Sequence, residues 1–360
     1  MCSGDLFASQ HTQQYFQADL PHLIAGLGHR GQMGMEHGGV IHIVKARDRQ
    51  ILRHPQPHIV SQRDNAERQN VRHAAHRGRT RLRPQQPFRR HKTGGIGVIR
   101  VSHIDVARVC EDDAYAKHVL DYAASHHVDI SSLAFYPNTM DGDLKKRQAN
   151  VAHLMTVIRA SAKLGVNMVT TFIGRDQNKS VEENLELVKE VWPPIIALAE
   201  ELGVKIAIEN CPMLFGRDQW PGGQNLMTTP PIWHKVFDIL PSDNLGINYD
   251  PSHFVWQMID YLKPLYEFKD KIFHVHYKDI KMFLDKLERV GVMAYPLDFM
   301  CPKLPGLGDV DWGKFVSALT DIGYDGFTCI EVEDKSFEGS EEAVLNSLRL
   351  SKRYLEQFVI

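Results

Sequence analysis

The sequence predicts an α/β fold of the (β/α)8 TIM-barrel type, and three observations carry that expectation. Apolar, β-branched runs alternate with amphipathic helical stretches from about residue 112 to the end, joined by short links. Several of the runs are apolar throughout, the pattern of parallel strands buried on both faces. Acids and a histidine recur where those runs stop: Glu209, Asp250, His276 and Glu331. A parallel barrel gathers its functional groups at the carboxyl ends of its strands.

Taken in order, residues 112–128 (DDAYAKHVLDYAASHHV) place Ala114, Val119, Leu120 and Ala123 at helical spacing. ISSLAFYPN reads as a strand stopped by Pro137, and residues 143–165 as a helix closed by Gly165. VNMVTTFIG is a β-branched strand. In SVEENLELVKEV, Ser180 and Glu183 have the spacing of a capping box. A second helix, PPIIALAEELG, ends at Gly203, and VKIAIEN follows as a strand. After a looped stretch come the helix PIWHKVFDIL, the strand NLGINYDPSH, the short helix PLYEFKD and the strand KIFHVHYKDI. DWGKFVSALTDIGY is a helix capped by Asp311, GFTCIEVED is the last strand, and residues 340–358 form the closing helix. The strands predicted are 130–136, 167–173, 204–209, 245–250, 271–277 and 327–332.

Six strands fall short of eight. The first two rungs should precede residue 112, but they are not recognisable there beyond short runs such as GVIHIVKA and GGIGVIRVSHI. On six strands alone, two sheet edges are left unpaired. Residues 1–105 differ in kind from residues 106–360, which are expected to form the barrel domain. Residues 1–100 hold 14 Arg and 2 Lys against 6 acids, a net of +10, while residues 101–360 carry 26 basic and 38 acidic residues, a net of −12. The basic segment lacks apolar periodicity and reads as disordered, as a divergent substitute for the missing strands, or as sequence foreign to the native product.

The formal net charge of −2, and the negative balance of the regular region, argue against a nucleic-acid partner. No run reaches the length of a membrane-spanning helix, the first residues lack the basic head and apolar core of a signal peptide, and the five cysteines are scattered without a CxxC. A reduced cytoplasmic setting is expected.

Two Glu, one Asp and one His from four successive strands form an oxygen-rich donor set with one nitrogen. Such a set suits one divalent cation of the Mn2+, Mg2+ or Co2+ type, with Mn2+ preferred and Zn2+ an alternative. A cation there polarises a sugar carbonyl and acidifies the neighbouring C–H, so Glu209 and Glu331 are the expected acid/base pair. His253, three residues after Asp250, is expected to hydrogen-bond a substrate oxygen or a ligand carboxylate, and His274 to orient its neighbours. Arg175 could receive an anionic group or form a surface salt bridge. Trp220 and Trp256 could stack on a sugar or pack a lid, and Lys278 is a candidate substrate contact. Tyr136 and Asn138 are expected at the same mouth.

The stretches FYPNTMDGD, TFIGRD, KIAIENCPMLF, GINYDPSHFVWQ, FHVHYKD and LPGLGDVDW resemble, in order, the sugar phosphate isomerase/epimerase family, the xylose isomerase-like group that includes inosose dehydratases and ketose 3-epimerases. The resemblance spans about 112–360. It implies metal positions at Glu209, Asp250, His276 and Glu331, acid/base positions at Glu209 and Glu331, and a sugar or cyclitol as the partner, with a homo-oligomer left open. Isomerisation or epimerisation through an enediolate is the expected chemistry. An inosose dehydratase-like lyase on the same site is the alternative, and an endonuclease-IV-like DNA repair enzyme or a metal-free scaffold are the readings from other classes.

Overall fold

The structure, a computed structural model, describes residues 38–45, 96–125, 128–214, 217–338 and 340–358. The expectations for residues 1–37 and 46–95 lie outside the described residues. Ten strands are described: β1 (Gly38–Lys45), β2 (Ile96–Asp105), β3 (Val128–Phe135), β4 (Met168–Thr171), β5 (Lys205–Glu209), β6 (Leu245–Tyr249), β7 (Ile272–Tyr277), β8 (Asp279–Met282), β9 (Met300–Lys303) and β10 (Phe327–Ile330).

Eight of them close a barrel in the order β1-β2-β10-β7-β6-β5-β4-β3. The run from β3 through β4, β5, β6 and β7 to β10 is parallel throughout. These are the six predicted strands, each within a few residues of its expected bounds. The two rungs that could not be recognised are supplied by β1 and β2, so the edges of β3 and β10 are paired. β2 runs parallel to β10, whereas β1 is antiparallel to both β2 and β3. The carboxyl end of β1 therefore lies at the opposite mouth from the other strand ends, and this rung brings no carboxyl-terminal residue to the functional face.

Local side chains account for the helix ends. At the start of helix Val181–Val191, Ser180 Oγ accepts from the Glu183 N–H at 3.2 Å and Glu183 Oε2 accepts from the Ser180 N–H at 2.8 Å, completing the capping box. Asp143 and Asp311 cap helices Leu144–Lys163 and Trp312–Asp321 from one side only, their carboxylates accepting from the Lys145 and Lys146 amides and from the Lys314 amide. Gly165 closes helix Leu144–Lys163 with a left-handed φ of +68°, a conformation that costs glycine little. Leu133, Val169, Ile206, Ile208, Ile247, Val275 and Ile330 on the strands are all buried in one apolar core with Trp192, Trp233 and Trp312 from the surrounding helices and caps.

The antiparallel hairpin β8–β9, inserted between β7 and helix Trp312–Asp321, went unpredicted. Asp279, fully buried at its base, organises the turn that leads into that helix. Its carboxylate accepts from the Ile280, Gly306 and Val310 amides at 2.8, 2.9 and 3.1 Å and from Trp312 Nε1 at 2.9 Å. A Cβ on Gly308 would stand 2.3 Å from Asp279 Oδ1, so the glycine-rich GLGDVDW turn exists to wrap this carboxylate.

Candidate metal centre

Each of the four predicted donors leaves its strand where the strand ends. Glu209 is the last residue of β5, and Asp250 directly follows β6. His276 lies near the end of β7, and Glu331 directly follows β10. Parallel registers bring these ends level. One ligand atom from each of the four lies within 4.8 Å of all the others. Glu209, Asp250 and His276 are buried, and the Glu331 side chain keeps 20% of its exposure. His276 Nδ1 stands 3.2 Å from Glu331 Oε2 and 3.6 Å from Glu209 Oε2.

The backbone and neighbouring amides hold these groups in place. Asn210 grips Asp250 twice, its Oδ1 accepting from the Asp250 N–H at 2.8 Å and its Nδ2 donating to the Asp250 carbonyl at 2.9 Å. The Ser252 N–H donates to Asp250 Oδ1 at 2.8 Å. The other oxygen, Oδ2, is buried without a hydrogen bond among the described residues, as is Glu331 Oε2. Buried carboxylate oxygens left without hydrogen bonds are costly unless something positive meets them. Part of that role falls to Lys278. Its buried ammonium is 3.3 Å from Asp250 Oδ2, 3.2 Å from Glu331 Oε2 and 3.5 Å from Glu333 Oε2.

A metal-ligating histidine must be a neutral imidazole, and with His276 neutral the acids outnumber the cation beside them. Glu209, Asp250 and Glu331 bring three negative charges and Lys278 one positive, so one divalent ion makes the buried set neutral. Three carboxylates and one imidazole nitrogen, hard donors with one borderline ligand, fit a cation of the Mn2+, Mg2+ or Zn2+ kind.

The protonation states follow from the same contacts. Burial would lower the His276 imidazole, but the Glu209 and Glu331 carboxylates beside it raise it to about 10. Burial would raise the Glu331 carboxyl, yet the Lys278 ammonium and His276 hold it down at about 2. Burial opposes the charge on Lys278 too, and Glu331, Glu333 and Asp250 raise it well above the ordinary lysine value.

His274 lies fully buried behind this group, and the connection is Asn248, the penultimate residue of β6. The Asn248 Nδ2 is 2.9 Å from His276 Nε2, and its Oδ1 is 2.9 Å from His274 Nδ1. His274 Nε2 in turn meets Ser131 Oγ and Cys329 Sγ, both at 3.4 Å. The expectation that His274 orients its neighbours thus acquires a path, through an asparagine the sequence did not single out. His253 is buried at the Asp250 corner, its Nε2 3.3 Å from Asp250 Oδ2 and 3.8 Å from Glu209 Oε1.

Arg175 and Trp220 sit in a different place. They line a cavity of about 280 Å³ together with Pro212, Gly222, Trp256 and Gln257, a lining that contains none of the four donors. Arg175 makes no surface salt bridge among the described residues: its Nη1 donates to the Gly222 carbonyl at 2.7 Å. Trp256 is buried and its ring centre is 6.3 Å from that of Trp220, whose Nε1 donates to the Met293 carbonyl at 3.0 Å. Asn138 serves structure at this mouth, its Oδ1 accepting from the Met140 and Arg175 amides at 3.0 and 2.9 Å. A Cβ on Gly174, which has a φ of +88°, would lie 2.5 Å from that oxygen.

A family described as xylose isomerase-like TIM barrel matches residues 95–354. The chain belongs to that family. The match begins at β2, so this rung lies inside the family region and β1 outside it. Among curated proteins, the chain is similar to an inosose dehydratase of Clostridium perfringens, 25% identical over 185 residues, covering 49% of this chain and 55% of that protein. It is also similar to an inosose isomerase of Bacillus velezensis, 25% identical over 250 residues, covering 66% and 79%. The match therefore spans only about half the length of the clostridial dehydratase. Among solved structures, the IolI protein with a bound zinc atom aligns at a TM-score of 0.53 with 20% identity, over 71% of this chain and 86% of that one. A D-psicose 3-epimerase from Clostridium cellulolyticum H10, solved with D-tagatose, aligns at 0.51 with 16% identity over 71% and 87%. These structures share the fold. Named relatives and structural neighbours of the chain include isomerases, epimerases and dehydratases.

Proposed function

We propose that the chain is a divalent-metal-dependent sugar isomerase or epimerase that moves a proton on a keto-sugar or cyclitol through an enediolate. The observation that carries this reading is the convergence of Glu209, Asp250, His276 and Glu331, with ligand atoms within 4.8 Å of one another. A cation held there would supply electrophilic polarisation of the substrate carbonyl, lowering the pKa of the adjacent C–H. Mn2+ is the preferred ion for so oxygen-rich a set.

The side chains divide the remaining work. Glu209 and Glu331 come from opposite sides of His276 and hold acid/base positions, one removing the carbon-bound proton and the other returning it. Lys278, charged and buried between Asp250 and Glu331, neutralises the carboxylates and can donate to a substrate hydroxyl. His253 meets the substrate side at the Asp250 corner. Arg175 and Trp220, in their own cavity, offer a cationic and an aromatic surface for a distal part of a substrate.

The test is isotope exchange. Protein loaded with Mn2+ and incubated in D2O with a panel of ketoses and keto-inositols should place deuterium on the carbon next to the carbonyl. Turnover of a substrate with no exchange at that carbon would refute the proton-transfer mechanism. The relatives named as inosose dehydratases favour a second reading, loss of water from a keto-inositol on the same site. A new unsaturated ketone absorbing in the ultraviolet would identify it.

A further inference from the structure

We infer that the substrate is a sugar acid, and that Arg175 receives its carboxylate in the cavity bounded by Trp220 and Trp256 while the carbonyl end meets the cation site. The inference rests on the sugar-enzyme reading above and narrows its substrate class.

Arg175 is the only charged side chain among the described residues that line this cavity; the rest of the lining is aromatic, apolar or neutral. Its guanidinium has no carboxylate partner among the described residues. Asp176, the acid next to it in the chain, is turned instead to the Asn178 N–H at 3.0 Å. One guanidinium donor is in use, Nη1 to the Gly222 carbonyl at 2.7 Å, and Nε is buried without an acceptor among the described residues. Burial pulls the group below the ordinary arginine value, with no acid to offset it. A buried cationic donor left unmatched is costly, and a single neutral donor would serve the Gly222 carbonyl as well. The charge is explained by what enters the cavity.

The fold fixes this arginine from behind. Asn138 holds both of its backbone groups, Oδ1 accepting from the Arg175 N–H at 2.9 Å and Nδ2 donating to the Arg175 carbonyl at 2.7 Å. Trp220 is anchored as firmly, by its own bond to the Met293 carbonyl at 3.0 Å and by Arg217 nearby, whose Nη1 donates to Asp298 Oδ2 at 2.9 Å. A cation and an aromatic ring thus line one cavity from two anchored loops. Trp256 and Gln257, on another wall, follow closely after His253, and Gln257 Nε2 donates to the His253 carbonyl at 2.7 Å. A molecule lying along that wall reaches from Arg175 toward the Asp250 corner of the cation site.

The kind of anion follows from the charge and the donors. A carboxylate brings one negative charge and two oxygens, which a single guanidinium matches in charge and in the geometry of its planar fork. A phosphate monoester brings nearly two charges and is usually cradled by free amides at a helix start. Helix Pro230–Ile239, which opens two residues after the lining Thr228, begins with Pro230 and Pro231, and neither has an N–H to offer. Aromatic walls with one placed charge are the lining of a site that holds an apolar ring face and orients it by a single polar group.

The test is calorimetric titration of the full, Mn2+-loaded chain with aldo- and keto-hexuronates, their parent hexoses and the hexose 6-phosphates. The best hexuronate should bind at least about tenfold tighter than its parent hexose, the effect of one charged hydrogen bond. Arg175→Met should erase that preference, and Arg175→Lys, which keeps the charge and loses the fork, should retain only part of it. The wild-type comparison needs no variant and stands even if Arg175→Met fails to fold. A carboxylate that binds only by chelating the cation would keep its advantage in Arg175→Met. That result overturns the inference, as does equal binding of hexuronate and hexose by the wild type, tighter binding of a 6-phosphate, or binding of none of the three. Because the titration reads no turnover, the two proposals fail separately. Uronate preference without isotope exchange sinks the proton-transfer reading alone, and exchange on hexoses without uronate preference sinks this one alone.

Discussion

Metal binding at this centre should expel a proton from His276, and the structure sets the scale. In the metal-free protein the His276 imidazole is raised to about 10 from an ordinary 6.5, because the Glu209 and Glu331 carboxylates outweigh its burial. At neutral pH it is therefore an imidazolium, and the proton lies in the same field of carboxylates that would hold a cation. Displacing it at pH 7 costs on the order of 4 kcal/mol, about three pH units at about 1.4 kcal/mol each, roughly a thousandfold in affinity. Mn2+ is the suitable probe, since it has little preference for sulfur. Its affinity should rise about tenfold per pH unit from 7 to 9 and level off near 10. Calorimetry in two buffers of different protonation enthalpy should show about one proton released per ion at pH 7. The signs for stability follow from the same shift. A value raised on folding stabilises the metal-free protein fully below 6.5 and loses that contribution as pH climbs through about 10. The metal-free melting temperature should fall over that window, while protection by Mn2+ grows. His276→Gln should abolish the slope. An affinity that stays flat between pH 7 and 9, with no proton released, would refute the reasoning, because the imidazole would then already be neutral.

Other perturbations test the supports. Asn248→Leu removes the amide shared by His276 and His274, and should lower Mn2+ affinity by about 10–100-fold with the circular dichroism unchanged; unaltered affinity would show that the amide does not orient the ligand. Asp279→Ala strips the acceptor from three backbone amides and the Trp312 indole, each a donor worth about 1–3 kcal/mol when left unsatisfied. Urea unfolding should show a loss of at least about 3 kcal/mol, and a loss below about 1 kcal/mol would contradict this account of the GLGDVDW turn. Ser180→Ala should cost about 1 kcal/mol in the same assay by removing one half of the capping box.

How much was legible in the sequence depends on how local each cause is. The four donors could be read because each ends a strand, and parallel register then brings strand ends together regardless of the loops between them. Ser180, Asp311 and Gly165 were legible for the same reason: a cap is decided within about four residues. The partners set by the barrel's curvature were not. Asn248 is the penultimate residue of a buried strand, and only the neighbouring strand, carrying His274 and His276, gives it two rings to join. Glu333 lies two residues past Glu331, and nothing in VED predicts that Lys278 from another strand reaches it. Cys211 looked like one of five scattered cysteines, and only the folded chain sets its thiol beside Glu209 and His253.

The hairpin β8–β9 escaped because its strands are four residues each and one holds Pro302, so neither pattern nor propensity marks them. β1 and β2 show the limit most plainly. GVIHIVKA and GGIGVIRVSHI are short β-branched runs without a clear alternation, and whether a strand runs with or against its neighbours is fixed by its connections and not by its own residues. That distinction matters at the site. A parallel rung in place of β1 would have offered another residue to the functional mouth. With β1 reversed, the four candidate donors come from the ends of β5, β6, β7 and β10, on the side where the parallel strands run unbroken.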